Sequence, residues 1–209
     1  MKVIVFGATG TVGRLAIDNL LSNGHTVTAF ARNPDNLKNQ STSLLRVSGD
    51  AMDAETVSKA IAGHDAVYVL LGAGKSRRSL IRSQGTLNVI RGMQTQGVRR
   101  LVCQSTLGAH ESWGNLNFLW KRIMFGVLLR PVFKDHELQE KLVQASGLDW
   151  TIVRPSAFID GPATGTYKEA FGPEERNLSL KITRADLAAF LAEQLSGLTY
   201  LQRAVSLSN

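Results

Sequence analysis

Apolar residues recur along this chain in two alternating rhythms. Short, nearly unbroken runs, "KVIVFG", "TVTAFAR", "LLRVSGD", "AVYVLLG", "RLVCQS" and "DWTIVRP", predict strands covered on both faces, because a half-buried strand would alternate. Between them lie segments whose apolar positions recur every three or four residues. These predict helices from Thr11 to about Ser22, from Ala54 to about Ala62, across "GTLNVIRGMQTQG", up to about Ser146, and across "TRADLAAFLAEQL". In the first helix Val12, Leu15, Ala16 and Leu20 form the inward stripe, Arg14 and Asp18 face water, and Gly24 stops the helix. Strand and helix in alternation predict one α/β domain over residues 1–209: a doubly wound parallel sheet, with a small capping region built from the strand-poor stretch after Arg154.

A second amphipathic stretch is less ordinary. Leu116, Leu119, Trp120, Ile123, Met124, Val127 and Leu128 make a helical stripe opposite Lys121 and Arg122, which predicts a helix covering the sheet. Its cations would also suit an anionic membrane or a partner, but a domain of this kind needs a covering helix there. Trp113 and Trp120 on its edge could floor a pocket for a flat ring.

Composition narrows the class. With 44% apolar and 20% charged residues in 209, the chain can build its core without disulfides, and its one cysteine, Cys103, makes a disulfide framework impossible. A reducing, cytoplasmic setting is expected. No run of eighteen uncharged apolar residues occurs, and Met1-Lys2 leads straight into "VIVF", so a soluble and untargeted protein is expected, without membrane binding; a monomer is the separate expectation for its assembly. The net charge of +7 suits nucleic acid or anionic cofactors alike. Its cations gather in "KSRRSLIR", "VRR" and "LWKRIMFGVLLR" without the regularly interleaved aromatics of a single-strand platform or a helix-turn-helix pattern, so nucleic acid is not expected as a partner.

The chemistry starts at "VIVFGATGTVG". Gly7, Gly10 and Gly13 leave a strand and open a helix, where a tight turn and unpaired helix N–H groups receive an anion, and Thr9 and Thr11 add hydroxyls beside Val12. A pyrophosphate fits that turn. The second strand ends at Arg32, where an enzyme using NAD usually carries an acid for the ribose 2′-hydroxyl; a guanidinium there suits a 2′-phosphate, hence NADPH. Lys38 and Arg14 are candidate helpers. Asp50 and Ala51, after the third strand, would border adenine, and Asp50 could equally cap the helix that follows.

On "GATGTVG", "ARNP", "GDAMD", "DAVYVLLG", "SQGTLNVI", "GVRRLVCQST", "SGLDWTIVRP" and "ITRADLAAFL", from Lys2 to about Leu195, the chain resembles the atypical short-chain dehydrogenases with an NmrA-like Rossmann fold. Through "VLLG", "DHELQEKLVQASGL" and "GPATGTY" it is similar within them to the biliverdin IXβ reductases, or flavin reductases. The resemblance implies a Rossmann-type sheet, pyrophosphate at Gly7 to Val12, 2′-phosphate at Arg32, adenine at Asp50 and Ala51, and nicotinamide near Leu71, Gly72, Ser105 and Pro155. It also shows departures. Tyr68, Tyr167 and Tyr200 lack a lysine four residues on, so the Tyr-x-x-x-Lys proton relay of ordinary short-chain dehydrogenases is missing. Ala157 stands where the biliverdin reductase pattern has histidine.

These features imply NADPH-dependent reduction of a planar conjugated acceptor, a flavin or a biliverdin-like tetrapyrrole, which needs little acid from the protein. Ser105 and Thr106, at the carboxyl end of the fifth strand, would orient the reactants, or simply cap the strand. His136 is the nearest titratable alternative, although in "KDHELQE" it reads first as a polar surface residue of a helix; His110 reads likewise in a loop. No metal is expected. The rival reading is a dinucleotide-sensing regulator without turnover, binding a protein through the basic helix.

Overall fold

The computed structural model describes every residue except 75 and 77, so Lys75 and Arg77 of the basic run "KSRRSLIR" lie outside the described residues. The chain forms β1 (Lys2–Phe6), α1 (Thr11–Ser22), β2 (Thr26–Ala31), β3 (Leu44–Ser48), α2 (Ala54–Ile61), β4 (Ala66–Val69), α3 (Ile81–Gln96) and β5 (Arg100–Gln104). It continues with a widely wound helix (Leu119–Leu128), α4 (Arg130–Gln144), β6 (Asp149–Pro155), three short strands β7 (Ala157–Ile159), β8 (Lys168–Glu169) and β9 (Lys181–Thr183), then α5 (Arg184–Glu193) and β10 (Arg203–Ser208).

Eight strands make one sheet in the order β3-β2-β1-β4-β5-β6-β10-β8, parallel except at β8, while β7 and β9 pair separately. Every residue from Val3 to Phe6 is fully buried, as an interior parallel strand requires. Val3 and Val5 point to one face and pack with α1 and α5; Ile4 and Phe6 point to the other and pack with α2 and α3. The expected doubly wound α/β architecture is therefore present. Because the chain winds outward from β1 in one direction through β2 and β3, then returns through β4 and β5 in the other, a crevice opens between the carboxyl ends of β1 and β4.

Two expectations change. The strand-poor region after Arg154 is not only a cap: Arg203–Ser208 runs beside β6 in parallel register, Val205 opposite Val153, and extends the sheet. The stripe from Leu116 to Leu128 does not cover the sheet. The helix from Leu119 is wound with i→i+5 bonds, ending with the Leu129 N–H donating to the Met124 carbonyl at 2.6 Å. More residues per turn break up an i, i+3, i+4 stripe, so Phe125 alone of the helix is buried while Leu119, Ile123, Val127 and Leu128 face outward.

Candidate functional site

The crevice is a cleft of about 1060 Å³ lined from the glycine turn at one end to the widely wound helix at the other. Gly7 has φ +85°, and a Cβ on it would overlap the Leu70 carbonyl; one on Gly13 would overlap the Gly7 carbonyl. Both glycines are thus demanded by backbone approach, one between strands and one between helix and turn. Gly10 differs. Its φ is −67°, and it caps α1 without a side-chain bond, so the first-turn N–H groups of Thr11, Val12 and Gly13 stay open toward the cleft. Thr9, Gly10, Thr11 and Val12 line this end, and Arg14 Nε braces the turn by donating to the Thr9 carbonyl at 3.0 Å.

Arg32 stands at the mouth of the same end, exposed, with no ion-pair partner among the described residues. Its backbone carbonyl accepts from the Ser48 hydroxyl at 3.1 Å, which ties the end of β2 to β3. Asp50 and Ala51 line the wall opposite. Asp50 is not the helix cap: its Oδ1 accepts from the Met52 N–H at 3.0 Å, and Asp53 caps α2 through the N–H groups of Glu55 and Thr56.

Farther in, Leu71, Gly72, Ser105, Thr106 and Pro155 converge. The Ser105 and Leu107 N–H groups bond to the Val153 and Pro155 carbonyls at 2.7 and 2.8 Å, which carries the β5–β6 ladder past the end of β5 and fixes Ser105 in place. Its hydroxyl is buried and has no partner among the described residues, and the same is true of Ser156, which follows the neighbouring strand β6. Two orphaned hydroxyls on a cleft wall are unfavourable unless a ligand supplies the missing bonds. Together with the open N–H groups of α1 and the free guanidinium of Arg32, they fit a bound dinucleotide. Gly7, Thr9, Gly10, Thr11, Val12, Arg32, Asp50, Ala51, Leu71, Gly72, Ser105, Thr106 and Pro155 all line this one cleft, whereas the candidate helpers Arg14 and Lys38 do not.

Behind the inner end lies a polar group of side chains, of which only His136 is a candidate in the sequence and only His136 lines the cleft. Asp135, His136, Gln139 and Glu140 of α4 are all buried, so the inward face of this helix is polar. His136 is therefore not a surface residue. It lines the cleft at 8% exposure, with Nδ1 3.2 Å from Gln139 Oε1, and Gln139 donates onward to Thr86 at 3.0 Å. Burial, aided by the nearby Arg82 cation, lowers its pKa to about 3, which leaves a neutral imidazole. Asp135 receives the Arg82 and Ser83 N–H groups, each at 3.1 Å, and caps α3 from a different helix. Below, Arg154 is clamped by Glu140 at 2.7 Å and by Glu111 at 2.5 Å. The signal for this was present in "KDHELQE", since residues 135, 136, 139 and 140 share one helical face.

Arg82 and Arg184 line the inner cleft with the apolar surfaces of Leu116, Trp120, Phe125, Phe158 and Leu180. Trp120 thus meets the expectation of an aromatic pocket edge, whereas Trp113 packs on Phe133 at 5.3 Å, outside the cleft lining. His110 and Tyr167 are also outside it. Tyr167 lies edge-on to Phe190, and burial with neighbouring acids, Glu193 first, raises its pKa to about 12. Among the described residues there is no cluster able to hold a metal ion, and no helix is long and apolar enough to cross a membrane.

Comparison with known proteins agrees with this geometry. A family described as NAD(P)H-binding matches residues 7–197. The Bacillus subtilis (strain 168) protein named "Uncharacterized sugar epimerase YhfK" is 28% identical over 183 residues, 81% of this chain and 78% of that one. Among solved structures, the oxidoreductase ylbE from Lactococcus lactis superposes with a TM-score of 0.85 over 100% of this chain and 91% of its own, at 21% identity. ChuY, an anaerobillin reductase from Escherichia coli O157:H7, superposes with a TM-score of 0.82 at 26% identity, over 99% of this chain and 96% of its own.

Proposed function

Because the chain belongs to the NAD(P)H-binding family, we propose that it is a reductase that takes NADPH and reduces a planar conjugated acceptor, a flavin or a linear tetrapyrrole. The observation that carries this reading is the inner cleft: it is walled by aromatic and aliphatic side chains and, among the described residues, holds no side chain suited to donate a proton at neutral pH. His136 is neutral with a pKa near 3, and the remaining titratable groups there are the arginines Arg82 and Arg184. Such a site disfavours carbonyl reduction, in which an alkoxide must be protonated as it forms. A conjugated ring spreads the added charge and takes its proton from solvent.

NADPH, when bound, supplies the hydride. The chain's own part is positional. The α1 N-terminus and the glycine turn hold the pyrophosphate, and Arg32 holds the 2′-phosphate through charge-assisted hydrogen bonds. Ser105 and Ser156, each fixed by its backbone, offer hydroxyls at the reacting end, and Trp120 and Phe158 offer faces for a flat ring. The likeness to an anaerobillin reductase favours the tetrapyrrole arm.

The test is rapid mixing of NADPH-loaded protein with FMN and with biliverdin, following nicotinamide oxidation. The wild type is expected to turn over one of them. Ser105→Ala should slow that step on the order of 10²-fold through lost geometry, while His136→Ala and Tyr167→Phe change it little. A hundredfold loss in either of the latter, with NADPH affinity intact, would reveal a side-chain acid and overturn the solvent-proton route. Tight NADPH binding with neither acceptor reduced would favour the sensing reading instead.

A further inference from the structure

The widely wound helix faces two ways. Trp120 and Phe125 line the cleft, whereas Leu119, Ile123, Val127 and Leu128 point away from it and are continued upstream by Phe118; Phe118 is 74% exposed and Val127 70%. The same stretch carries charge of one sign. Between Glu111 and Asp135 the sequence holds Lys121, Arg122, Arg130 and Lys134 and no acid. Lys121 donates to the Gly114 carbonyl at 3.2 Å, but Arg122, Arg130 and Lys134 are exposed, and none has an ion-pair partner among the described residues. Five large apolar side chains clustered in water mark a surface that something covers.

The cover must accept apolar side chains and a surplus of positive charge together. A second copy of the chain accepts the first and not the second, since a two-fold contact sets this cationic face against itself, in a molecule of net charge +7. An anionic bilayer accepts both. Apolar side chains sink to the acyl boundary while guanidinium and ammonium groups stay with the lipid phosphates. The winding that spoils the helix as a cover for the sheet is what turns these residues outward.

We propose that residues 118–134 form a docking face for an anionic membrane surface, on which the protein lies peripherally with the outer wall of its cleft against the headgroups. The proposal does not depend on the acceptor, and its test does not use turnover. The full chain is spun with vesicles of phosphatidylcholine alone and of phosphatidylcholine mixed with phosphatidylglycerol. It should sediment with the mixed vesicles, be released by salt, and bind the neutral ones much more weakly. Arg122→Ser and Arg130→Ser should each weaken partitioning about fivefold, and Phe118→Asp with Val127→Asp should abolish it. These side chains lie outside the cleft lining, so unchanged circular dichroism and NADPH binding verify that the variants fold. Failure to sediment with the mixed vesicles, or equal binding to both kinds that the variants leave unaltered, overturns the proposal. So does a dimer in sedimentation equilibrium that Val127→Asp dissolves while vesicles are ignored, which would identify a second copy as the occupant.

Discussion

The proposed preference for NADPH over NADH rests on one side chain. Arg32 follows β2, is exposed, has no ion-pair partner among the described residues, and lines the cleft. Removing it takes away a hydrogen bond to a charged group and nothing else that the fold uses. Arg32→Ala should therefore weaken NADPH binding by about 1.5–3 kcal/mol and leave NADH binding nearly unchanged. Calorimetry with both cofactors is the check, and equal wild-type affinities would mean that no 2′-phosphate contact exists. The three glycines of the turn divide their work at this same scale. Gly7 and Gly13 are needed by the backbone, while Gly10 keeps the mouth of α1 open.

Among the elements, α3 and α4 are joined by a bond that neither encodes alone. Leu80, at the start of α3, offers no polar side chain, and the local sequence satisfies only the Ile81 N–H, which donates to the Ser79 hydroxyl at 3.2 Å. Asp135, about fifty residues on, accepts the N–H groups of Arg82 and Ser83 and, at 2.5 Å, the Ser83 hydroxyl. Deleting the carboxylate leaves buried donors unmet as well as removing a cap. Asp135→Ala should thus cost about 2–4 kcal/mol in urea unfolding, with the first turn of α3 losing hydrogen-exchange protection before the rest of the helix. Asp135→Asn, which keeps one acceptor, should lose less. A loss below that of an ordinary surface substitution would show that the cap is satisfied by water.

For the molecule as a whole, the buried polar face of α4 makes stability depend on pH. His136 has a pKa of about 3 in the fold, lowered first by burial and then by Arg82, against about 6.5 when unfolded. Between those values the unfolded chain binds the extra proton. The stabilising effect of the neutral imidazole is therefore complete above pH 6.5 and is lost as pH falls toward 3, at up to about 1.4 kcal/mol per pH unit. Glu111 and Asp186, whose pKa values are also lowered, act in the same direction, but only below the ordinary carboxylate range. His25, whose pKa is also lowered, by burial and then by the N-terminal ammonium, shares the upper window, so a variant is needed to separate them. Denaturant midpoints at pH 7 and pH 5 should drop for the wild type and drop distinctly less for His136→Gln. An identical drop in both would place the titration elsewhere.

What the sequence determined by itself is what local spacing can express. The unbroken apolar runs became interior strands, the three-and-four spacing became α1 to α3 and α5, and the glycine turn with Arg32, Asp50 and Ser105 came to line one cleft, because each depends on residues close in the chain. Tertiary structure decided the rest. A polar helix face such as Asp135, His136, Gln139 and Glu140 reads as a wet surface until partners arrive from elsewhere, here the α3 N-terminus, Thr86 and Arg154. The strand β10 was hidden because its six residues gain their order from β6 beside them. The stripe from Leu116 to Leu128 covers the sheet only if it winds as an ordinary helix; one extra residue per hydrogen-bonded ring turns Leu119, Ile123, Val127 and Leu128 outward. Burial of a charged or polar group is stable only with a partner already in place, and periodicity along the chain does not specify partners that are distant in sequence.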